Sequence, residues 1–100
     1  MSRTLELVRF VVERDQEQQF LAKREAMVKA AKENFPGLID ETLAKLDDGS
    51  YVAAWIWEDR SFCEAAMAKA EAVPAVADWL QHIDEGFSME FGKVVDGNQS

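Results

Sequence analysis

Cysteine and histidine are nearly absent from this sequence of 100 residues, which has one of each, Cys63 and His82. A single cysteine cannot form a disulfide within the chain, so a reducing compartment, the cytoplasm, is the expected location. Zinc sites usually need several cysteine and histidine ligands, and no group of carboxylates has the spacing of a calcium-binding loop. The sequence therefore predicts no metal site.

Basic residues are also scarce, with 11 Lys and Arg against 19 Asp and Glu and a net charge of −8. Nucleic acids and anionic membrane surfaces are bound by clustered Lys and Arg, so neither is an expected partner. Charged residues interrupt the apolar stretches well before the ~20 residues needed to cross a bilayer. Arg3 and Glu6 interrupt the start of the chain, so neither a signal peptide nor a membrane span is expected.

Proline and glycine, which are abundant in disordered and repetitive chains, number only two and five. Hydrophobic residues make up 48% of the chain, enough for a folded core, and no segment repeats another. A chain of this length fits one domain. We predict a single domain over residues 1–100, with an ordered core of about 4–95 and a frayed polar tail over 96–100.

Apolar periodicity predicts the first strand and the first helix. Residues 4–13 are rich in Leu, Val and Phe on both parities, as expected for a strand that is covered on both faces. Asp15 followed by Gln18 resembles a capping box, which predicts that a helix begins there. Phe35-Pro36-Gly37 should end it, because proline disfavours helical geometry at the preceding residue. The face toward the sheet is predicted from the apolar residues Phe20, Leu21, Met27, Val28, Ala31 and Phe35.

The second half of the chain predicts a hairpin, a broken helix and a last strand. Residues 37–46 and 50–58 flank a turn at Asp47-Asp48-Gly49 and are typical of a β-hairpin. Ser61 with Glu64 resembles a second capping box, and Pro74 should interrupt the helix that it opens. Residues 88–95 predict a short final strand. The apolar positions of the broken helix are Phe62, Ala66, Met67, Ala70, Val76, Trp79, Leu80, Ile83 and Phe87.

The order strand, helix, strand, strand, helix, strand is that of the ferredoxin-like α+β fold, in which two helices cover one face of a four-stranded antiparallel sheet. Strands one and three are apolar on both faces, so the second face of the sheet would expose a large apolar patch. A second copy of the chain is the simplest cover. We therefore predict a homodimer that packs through its sheet faces.

The third strand carries the first candidate site. Tyr51, Trp55 and Trp57 share one face of this strand and are candidates for the aromatic wall of a small-molecule pocket, with Tyr51 supplying a hydroxyl. The alternative is that this stripe is plain core or dimer interface, the more frequent role of aromatic residues on a central strand.

Arg9 is the one cation within the apolar run of strand one, which makes it a candidate for substrate binding or catalysis. It would hold an anionic substrate in the pocket, or it would form an interface ion pair with a carboxylate such as Glu41 or Glu90. Because both parities of this strand are apolar, the pattern leaves open whether Arg9 points to the helices or to the partner.

His82 and Tyr51 are the other candidate catalytic residues. Histidine titrates near neutral pH, which makes His82 the obvious general base. It lies off the apolar stripe of its helix, so the alternative is a solvated pair with Asp78 on the helix surface. Arg24 lies inside the apolar sector of helix one and either reaches the mouth of the pocket or extends to water. Cys63 is interpreted as a small buried residue rather than a nucleophile.

Three segments resemble the antibiotic biosynthesis monooxygenase family: the run Trp57-Glu58-Asp59-Arg60-Ser61-Phe62 after a strand, Phe35-Pro36-Gly37 before strand two, and Phe20 early in helix one. The resemblance covers roughly residues 4–95. It implies a dimeric α+β barrel in which two sheets pack face to face and each subunit keeps its own cavity. It also implies oxidation of phenolic or quinone-like compounds by molecular oxygen, without a metal, a flavin or another cofactor.

Several positions depart from the family's pattern. Members that oxidise aromatic polyketides have an asparagine four residues before the strand tryptophan and a tyrosine about six after it, and a count from Trp57 reaches Ala53 and Cys63. Haem-degrading relatives have an asparagine in strand one and a tryptophan in helix two, where this chain has Val8 and the alanines around Ala65. Their histidine ligand lies about two residues from the position of His82, so haem is not expected.

Two functions from different classes follow. The first is a cofactor-independent monooxygenase of the antibiotic biosynthesis type, acting on a small aromatic or quinone-like molecule in a pocket built from Trp55, Trp57, Tyr51 and Arg9. The second is a non-catalytic dimeric domain that binds a small molecule or serves as a scaffold, with the same residues as core and interface.

Overall fold

The computed structural model describes residues 2–84 and 86–96, and it has the predicted βαββαβ order. The predicted α+β class with a four-stranded antiparallel sheet is confirmed. A 3₁₀ turn at Ala70–Ala72 separates the two parts of the second helical region. The elements are β1 (Thr4–Phe10), α1 (Glu17–Asn34), β2 (Leu38–Lys45), β3 (Tyr51–Trp57), α2 (Arg60–Lys69), α3 (Pro74–Leu80) and β4 (Ser88–Lys93).

The sheet has the strand order β2-β3-β1-β4, with every neighbouring pair antiparallel. Residues that pair directly across strands point to the same face of a sheet. One face, the helix face, packs against the helices, and the other is the open face. On the central strands the helix face carries Thr4, Glu6, Val8, Phe10, Tyr51, Ala53, Trp55 and Trp57. The open face carries Leu5, Leu7, Arg9, Val52, Ala54 and Ile56.

An aromatic cluster joins the sheet to α1 and α3 at one end of the helix face. The rings of Phe20 and Trp79 are stacked with 4.8 Å between their centroids, and those of Phe10 and Tyr51 are stacked at 5.8 Å. Large aromatic side chains bury much area per residue, so this cluster holds β1 and β3 against α1 and α3.

The predicted first capping box is wrong. Gln16 is at the N-cap of α1 and its side chain makes no cap hydrogen bond. The backbone N–H groups of Gln16 and Glu17 donate instead to the carbonyls of Glu13 and Arg14, at 2.9 and 3.4 Å. A backbone turn therefore leads into the helix. β1 itself ends at Phe10, short of the predicted residue 13, because its partners there, Tyr51 and Ser88, are the first residues of β3 and β4.

The second capping box is displaced by two residues. Asp59, in extended conformation, is the N-cap of α2, and its carboxylate accepts a hydrogen bond of 2.8 Å from the backbone N–H of Ser61. Ser61 is thus inside the first turn rather than at the cap. The predicted stop before Gly37 and the break at Pro74 are both confirmed.

The apolar stripes are narrower than predicted. In α1, Phe20, Met27 and Ala31 are buried, whereas Leu21 lies a quarter-turn away and is 48% exposed. Met67 and Phe87 are about half exposed as well, and the helical region ends at Leu80 rather than continuing to Phe87. Each helix therefore buries only a narrow row of side chains against the rest of the chain.

Asp96, the first residue of the predicted polar tail, is exposed, and residues 97–100 lie outside the described part of the chain. Within residues 2–84 and 86–96, no helix combines the length and the apolar composition that crossing a membrane requires.

Candidate functional site

The predicted aromatic stripe lies on the helix face of β3, but it does not form one wall. Trp55 and Trp57 have parallel rings 6.2 Å apart at one end of the strand. Tyr51 is at the other end, about 20 Å from Trp57 along an extended strand, where it packs against Phe10 and Phe20. The structure therefore brings the two tryptophans together and separates them from Tyr51.

A buried carboxylate lies beside the tryptophan pair. Glu6 on β1 is only 7% exposed, and its register places it between Trp55 on β3 and Phe91 on β4. The indole Nε1 of Trp57 donates to its Oε1 at 3.0 Å, and the Sγ of Cys63 donates to the same oxygen at 3.5 Å. The Glu6 site is therefore built from three elements, β1, β3 and α2.

The surroundings of Glu6 change the proton affinity of two groups. Burial raises the pKa of Glu6, although the hydrogen bonds from Trp57 and Cys63 partly oppose this. Burial also raises the pKa of Cys63 to about 12, with the negative charge of Glu6 as the second cause. The thiol thus stays protonated as a donor and is not a nucleophile, and Glu6 is a stronger base than an exposed carboxylate.

Arg9 lies on the open face, where it pairs in register with Val52 and Ser88. It therefore points away from the Glu6 site and does not line it. Of its two suggested carboxylate partners, Glu41 is on the helix face and forms a two-pronged ion pair with Arg24 of α1. Only Glu90 shares the open face with Arg9.

Tyr51 and His82 each contact a polar residue where α1 begins, Glu17 and Gln16 respectively. The hydroxyl of Tyr51 donates to Oε2 of Glu17 at 2.5 Å, and Lys45 Nζ lies 2.6 Å from the same oxygen. Burial and then the hydrogen bond to Glu17 raise the pKa of Tyr51 to about 12, so the phenol stays protonated. This favours a structural role for the Tyr51 hydroxyl.

His82 is buried rather than solvated, in contrast to its interpretation as a surface residue. Its Nδ1 lies 2.5 Å from the side-chain oxygen of Gln16 and its Nε2 lies 3.0 Å from Lys23 Nζ. Lys23, not His82, is paired with Asp78, at 3.0 Å. Both ring nitrogens of His82 are therefore occupied in holding the segment that follows α3 against the start of α1.

Sequence reasoning missed Glu6, although a signal was present. Glu6 has the same strand parity as Val8 and Phe10, so any arrangement that buries those two residues also buries the carboxylate.

Among the described residues, no three His, Cys, Asp or Glu side chains come together as a metal site would require.

No protein-family model matches this chain, and no curated protein is a significant match to its sequence. Solved structures match its fold. A mutant of SnoaB, a cofactor-independent oxygenase from Streptomyces nogalater, is 18% identical, with 97% of each chain covered and a TM-score of 0.75. A structure named as an antibiotic biosynthesis monooxygenase is 14% identical, with 93% of this chain and 99% of that one covered and a TM-score of 0.71. The protein NE2512 of unknown function from Nitrosomonas europaea is 13% identical, with coverage of 100% and 96% and a TM-score of 0.77. At these identities the likeness establishes the fold, and at that level it confirms the resemblance to the antibiotic biosynthesis monooxygenases.

Proposed function

We propose that this chain is a monooxygenase that oxidises a small aromatic or quinone-like molecule with molecular oxygen and without a cofactor. The observation that carries the proposal is the buried carboxylate of Glu6, held by Trp57 on the helix face of the sheet. The fold supports the proposal, because SnoaB is a cofactor-independent oxygenase of the same architecture.

Glu6 has the properties of a general base for such a substrate. Phenols, hydroquinones and anthrone-like compounds donate an electron to oxygen readily only after they lose a proton. Both protein donors contact Oε1 of Glu6, so Oε2 is the oxygen that would accept the substrate proton. The raised pKa of Glu6 brings it closer to the pKa of the substrate, which makes proton transfer more favourable.

The reaction balances without any further reactant. With an anthrone-like substrate, Glu6 removes a proton from the activated methylene group; with a hydroquinone it removes the phenol proton, and a ring C–H carbon carries the resulting negative charge. The anion passes an electron to oxygen, after which the two radicals combine at that carbon to a peroxide anion. Loss of the hydrogen that remains on that carbon with cleavage of the O–O bond leaves a carbonyl and hydroxide. Hydroxide takes the proton back from Glu6, so one oxygen atom enters the product and the other leaves as water.

Access to Glu6 requires a side-chain movement, because Glu6 and Trp57 are 7% and 2% exposed. Trp55 and Phe91 flank the carboxylate in register and are only partly buried. These two side chains are therefore the expected gate and the expected aromatic walls of the bound state.

The dimer is part of the proposal. The open face carries Leu5, Leu7, Val52, Ala54 and Ile56, which are only partly buried in a single chain. An apolar sheet face of this kind is normally covered, and a second copy would cover it through a self-complementary contact. The helix face, with the Glu6 site, would remain accessible in such a dimer.

Oxygen uptake tests the proposed activity. Anthrone-like and hydroquinone substrates should be consumed above the buffer rate, and Glu6→Gln should lower kcat by roughly 10²–10⁴, the usual contribution of a general base. Glu64→Gln is the matched control, because this carboxylate is exposed on α2. No turnover across such a panel would count against an oxygenase.

The second function is a non-catalytic dimeric domain that binds a small molecule or serves as a scaffold. Ala53 and Cys63 favour it, because they are buried where the oxygenases of the family carry polar side chains. Titration of tryptophan fluorescence with small aromatic compounds separates a chain with a ligand pocket from a scaffold whose core is filled. Saturable quenching without oxygen uptake would favour a binding domain, and no quenching would favour a scaffold.

A further inference from the structure

A cleft of about 250 Å³ opens beside β1 and β4, next to the start of α2. Three of its lining residues are cations, Arg3, Arg60 and Lys93, and the aromatic ring of Phe91 lies among them. Thr4 and Ser2 supply hydroxyl groups. None of the described residues that line it is acidic.

The charge of this cleft is opposite to that of the chain as a whole, which has a net charge of −8. Arg60 lies 3.7 Å from Glu64, but both side chains are more than half exposed, so this contact is weak. Lys93 is on the helix face, in register with Thr4. Cations that converge on a concave surface attract an anion more strongly than the same cations spread over the protein.

The guanidinium of Arg60 is already positioned for such a ligand. Its central carbon lies 3.8 Å from the centroid of the Phe91 ring, a cation–π contact that restrains the long side chain. Stacking occupies the face of the guanidinium and leaves its N–H edge available. That edge matches the two oxygens of a carboxylate.

The cleft adjoins the Glu6 site. Thr4 in its wall and Glu6 are two residues apart on the helix face of β1, about 7 Å along the strand, and Phe91 is the register partner of Glu6. The positive charge of Arg60 also acts on Cys63, the thiol that contacts Glu6. A single ring with a carboxylate at one end and a hydroxyl at the other spans this distance.

We propose that the cleft binds the carboxylate of a small aromatic acid through Arg60 and Lys93, with the hydroxyl-bearing end of the ring directed toward Glu6. The inference rests on the proposed function in one respect only, that the bound acid is the substrate of the oxygenase. This anion-binding role is the one that sequence reasoning gave to Arg9, which the structure places on the opposite face.

Calorimetry tests the inference by measuring the affinity of the protein for three compounds: a hydroxybenzoate, its methyl ester and phenol. The acid should bind, whereas the ester and phenol should bind at least about tenfold more weakly, the effect of losing one charge-assisted hydrogen bond. Arg60→Gln and Lys93→Gln should each weaken the binding of the acid by a similar factor and leave the affinity for the ester unchanged. Lys29→Gln, an exposed cation on α1, is the matched control and should have no effect. Circular dichroism checks that each variant is folded.

Equal affinity for acid and ester, or an unchanged affinity in the Arg60→Gln and Lys93→Gln variants, would overturn the inference. Oxygen uptake with carboxylated and neutral hydroquinones separates this failure from that of the proposed function. If both compounds are oxidised with equal KM, the oxygenase stands and the carboxylate site is wrong. If neither is oxidised but the acid binds through Arg60 and Lys93, the cleft stands and the oxygenase is wrong.

Discussion

The indole N–H of Trp57 donates a hydrogen bond to the buried carboxylate of Glu6, with 3.0 Å between Nε1 and Oε1. Cys63, on α2, donates to the same oxygen. A carboxylate in an apolar interior is costly unless donors of this kind compensate for the lost water. Because one donor is on the sheet and the other on a helix, the position of Glu6 depends on how α2 packs against β1 and β3.

The first prediction concerns the effect of pH on stability through Glu6. Its pKa is higher in the folded chain than the ordinary value of 4.5, so the protonated form favours folding. This contribution is fully present below the unfolded-state pKa and is lost as the pH rises through the folded-state pKa. The free energy of unfolding of the wild type, relative to Glu6→Gln, should therefore be lower at neutral pH than near pH 4.5. Urea denaturation at both pH values measures the difference.

Glu64→Gln is the control for this experiment, because the Glu64 side chain is exposed. The contributions of all other titrating groups to the free energy of unfolding cancel when a variant is compared with the wild type at the same pH. Its stability relative to the wild type should change little with pH. If the difference in the free energy of unfolding between the wild type and Glu6→Gln is also independent of pH, Glu6 has an ordinary pKa.

The second prediction uses the fact that Tyr51 is the only tyrosine in the chain, so ultraviolet absorbance reports the ionisation of one phenol. In the folded protein its pKa is raised from 10.0 to about 12, first by burial and then by Glu17. Stability should therefore be lost as the pH rises from 10 toward 12. Glu17→Gln should lower the ionisation midpoint while leaving it above 10.0, because burial remains.

Glu25→Gln, an exposed change on α1, should leave the midpoint of Tyr51 unchanged. Circular dichroism at each pH shows whether the phenol ionises in the folded or the unfolded chain. A midpoint near 10 in a chain that is still folded is incompatible with the buried hydrogen bond.

The order of elements could be predicted from the sequence because each element has its own apolar period. The same alternation correctly placed Tyr51, Trp55 and Trp57 on one face of β3. It left the orientation of Arg9 open, because β1 is apolar on both parities and only pairing with Val52 and Ser88 decides the face. Periodicity thus predicts faces only where the two faces differ in polarity.

The burial of Glu6 could be predicted from its strand parity, but its partners could not, because they are remote in sequence. Trp57 and Cys63 are 51 and 57 residues from Glu6, and no local pattern encodes their approach. His82 was misplaced for a similar reason. Because α3 ends at Leu80, the position of His82 is decided by its contacts with Gln16 and Lys23 of the first half of the chain.

The third prediction compares two glycines that both have positive φ, +86° at Gly37 and +92° at Gly49. An added Cβ at Gly37 would overlap the Phe62 side chain, whereas nothing lies within 4 Å at Gly49. Gly49→Ala should cost about 1–2 kcal/mol from left-handed backbone strain alone. Gly37→Ala should cost roughly 2–5 kcal/mol, because displacement of Phe62 adds to the strain.

Urea denaturation measures both costs, and Phe62→Ala provides the internal check. In that background the overlap is gone, so Gly37→Ala should cost no more than Gly49→Ala. Equal costs for the two glycines in the wild-type background would mean that Phe62 does not contact Gly37 in solution.

The fourth prediction concerns the proposed dimer. Leu7 lies near the middle of the open face, next to Ala54 on β3 and Glu90 on β4. In a symmetric dimer Leu7→Arg would replace two apolar side chains of the contact with two charged ones, which lose their water when the dimer forms. We expect the dissociation constant of the dimer to rise by roughly a hundredfold or more, the equivalent of about 3 kcal/mol. Sedimentation equilibrium measures this against a wild-type mass near twice 11.3 kDa.

Two control variants define which surface forms the dimer. Leu21→Arg also adds a cation at an apolar position, but on the exposed side of α1, so its dimer should be as stable as that of the wild type. Trp57→Phe changes only the helix face and should likewise leave the dimer intact. A wild-type chain that is monomeric at micromolar concentration would contradict the dimer itself. If instead Leu21→Arg dissociates the dimer and Leu7→Arg does not, the contact is formed by α1, and the open face of the sheet needs another partner.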